Sequence, residues 1–253
     1  MDRMIHTALN SMRNLAELQR VNAQNLTNMT VPGFRKDLWG QAATGYLQAG
    51  QEGSARAFAL TTGDSEFSNA HGTMNPTGVD TDIAILGDGW FFVQPQDGTA
   101  PALSRRGDLS LNVDGVLVNG ADEIVLSDGL APIELPPYRE IQITQLGEIL
   151  INPLAAEIGQ FVSAGFIGTT SASGVELRKG EDARVRGIDG TLPEPDQMAD
   201  IQQGVLESSN VNAVDELVHT IELQRRFEMS VKFIESAKQI DQAAAQIMRV
   251  AQE

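Results

Sequence analysis

All the glycines and prolines of this 253-residue chain, 24 and 10 of them, lie between Pro32 and Gly204. Neither residue occurs in the 31 positions before that window or in the 49 after it. Glycine and proline are the strongest interrupters of regular backbone, one by its freedom and the other by its missing N–H. Two long uninterrupted elements therefore flank a middle built from short ones. The fold class that follows is α+β, with long N- and C-terminal helices around a β-rich central domain.

Periodicity supports helices at both ends. Ile5, Ala8, Met12, Leu15, Leu26 and Met29 recur at three- and four-residue steps, with Gln19 and Asn22 as polar members of the same stripe. Pro32 and Gly33 close this helix, because proline drives Val31 out of the helical region. At the other end a helix capped by Ser209 or Asn210 is expected to run to about residue 250. Its apolar residues fall in three sectors: Val214, Leu217, Val218 and Ile221; then Leu223, Phe227, Val231, Ile234 and Ile247; then Met229, Phe233 and Ile240. A helix apolar on several sides has to be buried on several sides. One chain of this size has little material to do that, whereas neighbouring chains could.

The middle alternates. Leu109–Val113 and Val116–Val118 flank Asp114-Gly115, a hairpin signal for a turn with positive φ at both central positions. Strands are also expected at Asp82–Leu86, Trp90–Val93, Glu140–Thr144, Glu148–Ile151 and Gln160–Val162. Residues 37–80 read as extended or loop-like, and Thr191–Pro195 as a return linker. The chain thus divides into 1–34, an assembly helix with its turn; 35–80, an extended linker; 81–203, the β-rich centre; and 204–253, the second helix.

Composition narrows the function. The net charge is −16, and residues 37–204 hold 24 acidic against eight basic side chains, which disfavours a nucleic-acid partner. With no cysteine, thiolate nucleophiles, disulfides and cysteine-held metals are excluded. No run of about 18 apolar residues provides a membrane span, and the charged first twenty residues do not read as a cleaved leader. His6, His71 and His219 stand far apart and outside any HExxH pair. Asn112–Gly115 imitates part of a calcium loop, but Ser110 and Ala121 occupy the first and closing ligand positions. Gly87-Asp88-Gly89 lacks the third glycine of a dinucleotide loop. Asp80 and Asp82 share a strand face without a visible partner, and Arg105-Arg106 reads as a hairpin flank. Nothing points to an enzyme, a cofactor or a metal. From the residues alone, a β-rich binding module on a helical stalk also remains open.

Two terminal motifs and one central motif carry a resemblance. NLTNMTVPGFR (Asn25–Arg35) resembles the NLAN–TPGF(K/R) ending of the N-terminal helix in flagellar rod, hook and hook-associated proteins. The segment Gln203–Lys232 is similar to their C-terminal G-x-LE-x-SNV…E-x-x-x-I…R-x-(Y/F)E signature. HGTMNPTGVDTDIAILGDGWFFV (His71–Val93) is similar to their T-G…D-x-AI-x-G-x-GFF stretch. Val31, Thr27 and His71 depart from the usual residues without removing a turn or an apolar contact. Within the family, Met1-Asp2, Gly87–Trp90 and Leu135–Pro137 look most like the proximal-rod members, the distal-rod members being near neighbours.

The resemblance implies a structural subunit of the bacterial flagellar basal body, stacked helically into the rod that crosses the periplasm. It implies export through the flagellar type III apparatus without a cleaved signal, with other rod proteins and copies of the chain itself as partners. It also implies terminal helices paired as a coiled coil. In that reading Val214, Leu217 and Ile221 form a seam with Ile5, Met12, Leu15 and Leu26, while Phe227, Val231 and Ile234 meet adjacent subunits. Asn25, Asn28 and the Pro32-Gly33-Phe34 turn would close the first helix, and Asn210 and Val211 would open the second. Both ends are expected to gain much of their order on assembly, since ordering a residue costs about 1–2 kcal/mol that only multi-subunit burial would offset.

Overall fold

The computed structural model describes residues 2–38, 42–49, 54–61, 66–155, 157, 159–180, 182 and 184–250, and side chains for all of these except 2–7, 42–49, 54–61, 66, 241 and 244–250. Two compact units result: Met1–Thr27, Asp37–Glu66 and Asn212–Glu253 form one, and Asn28–Lys36 with Phe67–Val211 the other.

The first unit holds the only helices among the described residues, α1 at Asp2–Thr27 and α2 at Ala213–Val250. At 1.5 Å per residue, α2 is about 57 Å long. Its cap is Asn212, not Ser209 or Asn210. Asn212 Oδ1 accepts from the Val214 N–H at 3.0 Å, and Asp215 and Glu216 place acid in the first turn. The unit also contains an antiparallel ribbon, Ala42–Ala49 against Ser54–Thr61, in register from Ala42↔Thr61 to Ala49↔Ser54. Part of the segment expected to be extended or loop-like is therefore a paired ribbon.

The expected coiled coil is not formed by the described residues. Its intended seam on α2 lies in solvent, with Val214, Leu217 and Ile221 exposed by 67, 51 and 51%. Polar groups join the helices instead. Asn22 Nδ2 donates to the Glu216 carboxylate at 2.5 Å and to the Glu216 carbonyl at 3.1 Å, and the Thr220 hydroxyl donates to Asn22 Oδ1 at 2.5 Å. Asn22 and Glu216 are buried, and so is Leu223, two turns on from Glu216. A knobs-into-holes seam needs apolar residues at both core positions, and the side of α2 that is covered begins with Glu216 and Thr220. The three apolar sectors of α2 left the choice of inner face open. The buried amide of Asn22 decides it, since it needs partners and an apolar sector offers none. On α1, Ala8, Leu15 and Val21 are buried and Met12 and Leu26 half-buried; the side chain of Ile5 lies outside the described ones.

The second unit is β-rich. Its largest sheet runs Leu177–Lys179, Val185–Gly187, Ala102–Ser104, Trp90–Gln94, Ile124–Val125, Leu117–Asn119, Leu109–Leu111, and Thr169–Thr170 also pairs with Trp90–Gln94. A second, antiparallel sheet orders Tyr138–Ile143, Glu148–Pro153 and Val162–Phe166, its last strand beginning where the sequence had it end. Ile83–Leu86 pairs with Asp200–Gln203, and Met74–Pro76 with Val205–Glu207. Trp90–Phe91–Phe92–Val93 is apolar without alternation because both faces are covered. Phe91 enters a core with Ile83, Ile149, Ile167 and Ile201, while Trp90 and Phe92, pointing the other way, meet Leu103, Leu126 and Val185.

The hairpin at Asp114-Gly115 forms with Leu117 opposite Leu111, but its turn differs from the expected one. Only Gly115 of residues 112–115 has positive φ (80°). The Gly115 N–H donates to the Asn112 carbonyl, and Asn112 Oδ1 accepts from the N–H groups of Asp114 and Val116. The polar side chain thus builds the loop, and a single left-handed residue suffices. Phe91→Ala is expected to lower the unfolding free energy of this unit by about 3–5 kcal/mol. Val113→Asp at the fully exposed hairpin tip is expected to change it by less than about 0.5 kcal/mol; urea titration followed by near-UV circular dichroism measures both.

Candidate functional site

The turn after α1 is built by short-range bonds. The Val31 N–H donates to the Asn28 carbonyl and the Phe34 N–H to the Val31 carbonyl, with Gly33 at φ +67°. The Gly33 N–H then donates to the Glu207 carbonyl at 2.7 Å. A Cβ at Gly33 would run into the Arg105 carbonyl, so both the backbone sign and the close approach require glycine. Asn210 holds the same turn from the other side. Its Oδ1 accepts from the Lys36 N–H at 2.7 Å, its own N–H donates to the Phe34 carbonyl, and its Nδ2 donates to the Ala70 carbonyl at 2.7 Å. A residue expected to cap a helix is thus a clasp between three segments.

Beneath the turn lies an ion cluster. Glu207 is buried, as are Arg35 and Arg105. One oxygen of Glu207 accepts from Arg105 Nε at 2.7 Å; the other accepts from the Gly72 N–H at 2.9 Å and lies 3.2 Å from Arg35 Nη2. Arg105 also donates to the carbonyls of Ile85, Gly87 and Gly89 at 2.7–2.9 Å, which replace water around its charge. Arg35 donates to the Ala70 carbonyl and meets His71 Nδ1 at 3.1 Å. The other ring nitrogen of His71 lies 3.4 Å from the exposed Asp88 carboxylate. Burial, with Arg105 nearby, pulls the Arg35 guanidinium down to about 10, and Glu207 only partly restores it. It remains charged at neutral pH. Since the folded value lies below the unfolded one, the cost of burying this cation is present in full at neutral pH and is relieved only above about 10. Lys179 completes the cluster, its Nζ 4.2 Å from the centre of the Phe34 ring and donating to the Arg35 carbonyl.

The structure places the sequence-selected residues unevenly. Gly33, Phe34 and Asn210 meet in the clasp. In the helical unit, Asn25 is buried and exchanges both amide bonds with the backbone of Asp37, at 3.0 and 2.8 Å. Asn28, Pro32 and Val211 are half-buried, as are Phe227, Val231 and Ile234 of α2. Arg105, Glu207, Arg35 and Lys179 were not selected. The sequence predicts a hairpin flank at Arg105-Arg106, but only Arg106 fits that description, its guanidinium paired with Asp108 at 2.7 Å. A signal for Arg35 and Glu207 did exist, since both stand inside the quoted motifs. Asp82, for which the sequence shows no partner, is buried and accepts from the Thr77 hydroxyl at 2.6 Å.

Among the described residues no group of three or more His, Cys, Asp or Glu could hold a metal ion, and no helix is long and apolar enough to cross a membrane. The arrangement is an anchor that ties remote segments. Glu207→Gln is expected to lower stability by about 3–5 kcal/mol, because two buried guanidiniums lose their common anion. Arg106→Gln, at a half-exposed pair, is expected to change it by less than about 1 kcal/mol; thermal melts of both variants make the comparison.

Known proteins share these segments. Residues 84–151 match the family model "Flagellar hook protein FlgE/F/G D1 domain", and residues 202–247 match "Flagellar basal body rod FlgEFG protein C-terminal". The flagellar basal-body rod protein FlgF of Escherichia coli (strain K12) is 31% identical over 243 residues, 93% of this chain and 94% of that one. FlgF of Caulobacter vibrioides is 29% identical over 249 residues, covering 97% and 98%. FlgG of Bacillus subtilis (strain 168) is 26% identical over 264 residues, covering 98% and 99%. End to end, in its clasp motifs and in its β-rich body, the chain belongs to the family of flagellar basal-body rod proteins.

Proposed function

We propose that the chain is a structural, non-catalytic subunit of the flagellar basal-body rod, of the FlgF-like proximal kind, assembling with copies of itself and with other rod proteins. Near-full-length similarity to proteins of that name is the observation that carries this reading. Assembly runs through the terminal helices. Export through the flagellar type III apparatus and a place in the rod across the periplasm belong to the same proposal.

The surface of α2 supports it. Val214, Leu217, Val218 and Ile221 are 51–67% exposed in one sector, and Met229, Phe233 and Ile240 are 47–61% exposed elsewhere on the same helix. Clustered apolar side chains of this size mark an interaction surface. Ile5, Met12, Leu15, Leu26, Phe227, Val231 and Ile234 complete the proposed assembly set, with the Asn25–Phe34 segment and Asn210-Val211 fixing where each helix starts or stops. Much of the order of both ends comes from this packing.

Two outcomes follow. A double substitution, Leu217→Glu with Ile221→Glu, is expected to leave the free chain's melting unchanged within about 0.5 kcal/mol. It should nonetheless abolish swimming in soft agar and remove the chain from isolated basal bodies; normal swimming would sink the proposal. In limited proteolysis of the free chain, cleavage within 1–27 and 213–250 is expected before any within 67–211, read by mass spectrometry of the fragments.

A further inference from the structure

Four loop segments of the β-rich unit are laced into one rim by backbone bonds. Ile167 bridges to Ser127, and its N–H donates to the Gly147 carbonyl. The Gln197 N–H donates to the Thr169 carbonyl, and the Ile201 N–H to the Gln145 carbonyl. Each segment presents one large apolar side chain to solvent: Leu130 is 41% exposed, Leu146 62%, Phe166 37% and Met198 77%. Single apolar side chains on a surface need no explanation, but four on one rim mark an interaction surface. Backbone geometry points the same way. Leu130 has φ +58° and Gln197, the neighbour of Met198, +50°, a region that larger residues rarely adopt. Both loops therefore carry strain at or beside an exposed apolar side chain, where a loop that only had to turn would do so without it.

Charge selects the occupant. Segments 127–131, 144–148, 166–169 and 196–201 hold four carboxylates, Asp128, Glu148, Asp196 and Asp200, and no Lys or Arg. Two such rims would repel each other face to face, so the fitting occupant is apolar and basic. Residues 1–36 have that balance, with five basic against two acidic side chains, whereas residues 37–253 hold 13 against 32. On α1, Leu9, Arg13, Ala16 and Arg20 follow at four-, three- and four-residue steps, share one face and are exposed. Arg20 pairs with Glu17, and Arg13 has no ion pair among the described residues. The exposed cations of α2, Arg225, Arg226, Lys232 and Lys238, are instead interleaved with Glu222, Glu228 and Glu235. We propose that the rim is the docking surface for the Leu9–Arg20 stripe of α1 from a second copy of this chain. The proposal rests on the assembly reading above and names one contact within it. Apolar side chains supply the attraction, and the guanidiniums among carboxylates fix how the copies meet.

The test puts the photo-reactive residue benzoylphenylalanine in place of Met198 in the full chain, in cells whose basal bodies are then isolated and irradiated. A covalent pair of copies is expected on a denaturing gel, with mass spectrometry joining position 198 to a peptide within residues 8–27. Arg13→Glu should lower the yield of that pair by about tenfold, because a cation facing carboxylates becomes a like charge. Thermal melts of the free variant check that its fold is kept. If the chain altered at 198 does not enter basal bodies, Leu146 is replaced instead. A link to another rod protein, to α2, to residues 67–211 or within one copy overturns the proposal. So does an unchanged yield from Arg13→Glu, or no covalent product from chains that are in the basal body. Absence of the unaltered chain from basal bodies overturns the assembly reading itself, which tells the two failures apart.

Discussion

One carboxylate organises the β-rich unit. Glu207 accepts from Arg105, from the Gly72 N–H and from the side of Arg35, while its own carbonyl accepts from Gly33. These partners come from three separate stretches of chain. Arg105 extends the reach further, since its remaining donors fix the carbonyls of Ile85, Gly87 and Gly89 and so the path of the turn leading into the Trp90 strand. Each of the three motifs shared with rod and hook proteins supplies part of this one network: Gly33 and Arg35 from the first, Gly72 and Gly87–Gly89 from the second, Glu207 and Asn210 from the third. The motifs look unrelated along the chain because what relates them is a set of hydrogen bonds and not a run of sequence.

A buried ion cluster is weak evidence for added stability, since desolvation can exceed the Coulombic gain. What it supplies is uniqueness. An apolar turn could slide against an apolar sheet at little cost, whereas Glu207 has few positions in which both guanidiniums and the Gly72 N–H are all satisfied. The backbone bond from Gly33 and the three-way bonding of Asn210 enforce the same position from other directions. The segments that precede Asp37 and Asn212 are thereby held in one arrangement within the β-rich unit.

How much of this was legible in the sequence varies with the range of the forces involved. Glycine-free, proline-free ends announce helices because helical bonding is local, and α1 and α2 lie where those ends are. The strands at 83–86 and 90–94 follow from short apolar runs bounded by glycine, and the hairpin at 109–119 from alternation around Asp-Gly. The details fail where a side chain competes with the backbone. Asn112 builds a turn that the dipeptide rule assigns to two left-handed residues, and Asn212 takes the capping position expected of Ser209 or Asn210, leaving Asn210 to its clasp. Of the site, Gly33 and Phe34 stand out locally, because a turn residue and its apolar neighbour can be read in place. Arg105 could not be read, because nothing in Arg105-Arg106 distinguishes the cation that goes inside from the one that pairs with Asp108 at the surface.

The helices show the same limit more sharply. Counting apolar residues around α2 yields three candidate faces, and counting cannot rank them. The ranking comes from Asn22, an amide buried at the helix contact that must find polar partners and finds them in Glu216 and Thr220. A polar contact of this kind suits a single chain, because it fixes the alignment of two helices without consuming apolar surface. Leu217, Ile221, Met229 and Phe233 are then left facing outward. For an isolated protein this would be wasteful, and it would favour aggregation. For a subunit that has to pack against others, it keeps the groups with the largest non-directional driving force available for the contacts between chains, while the directional bonds are used within one.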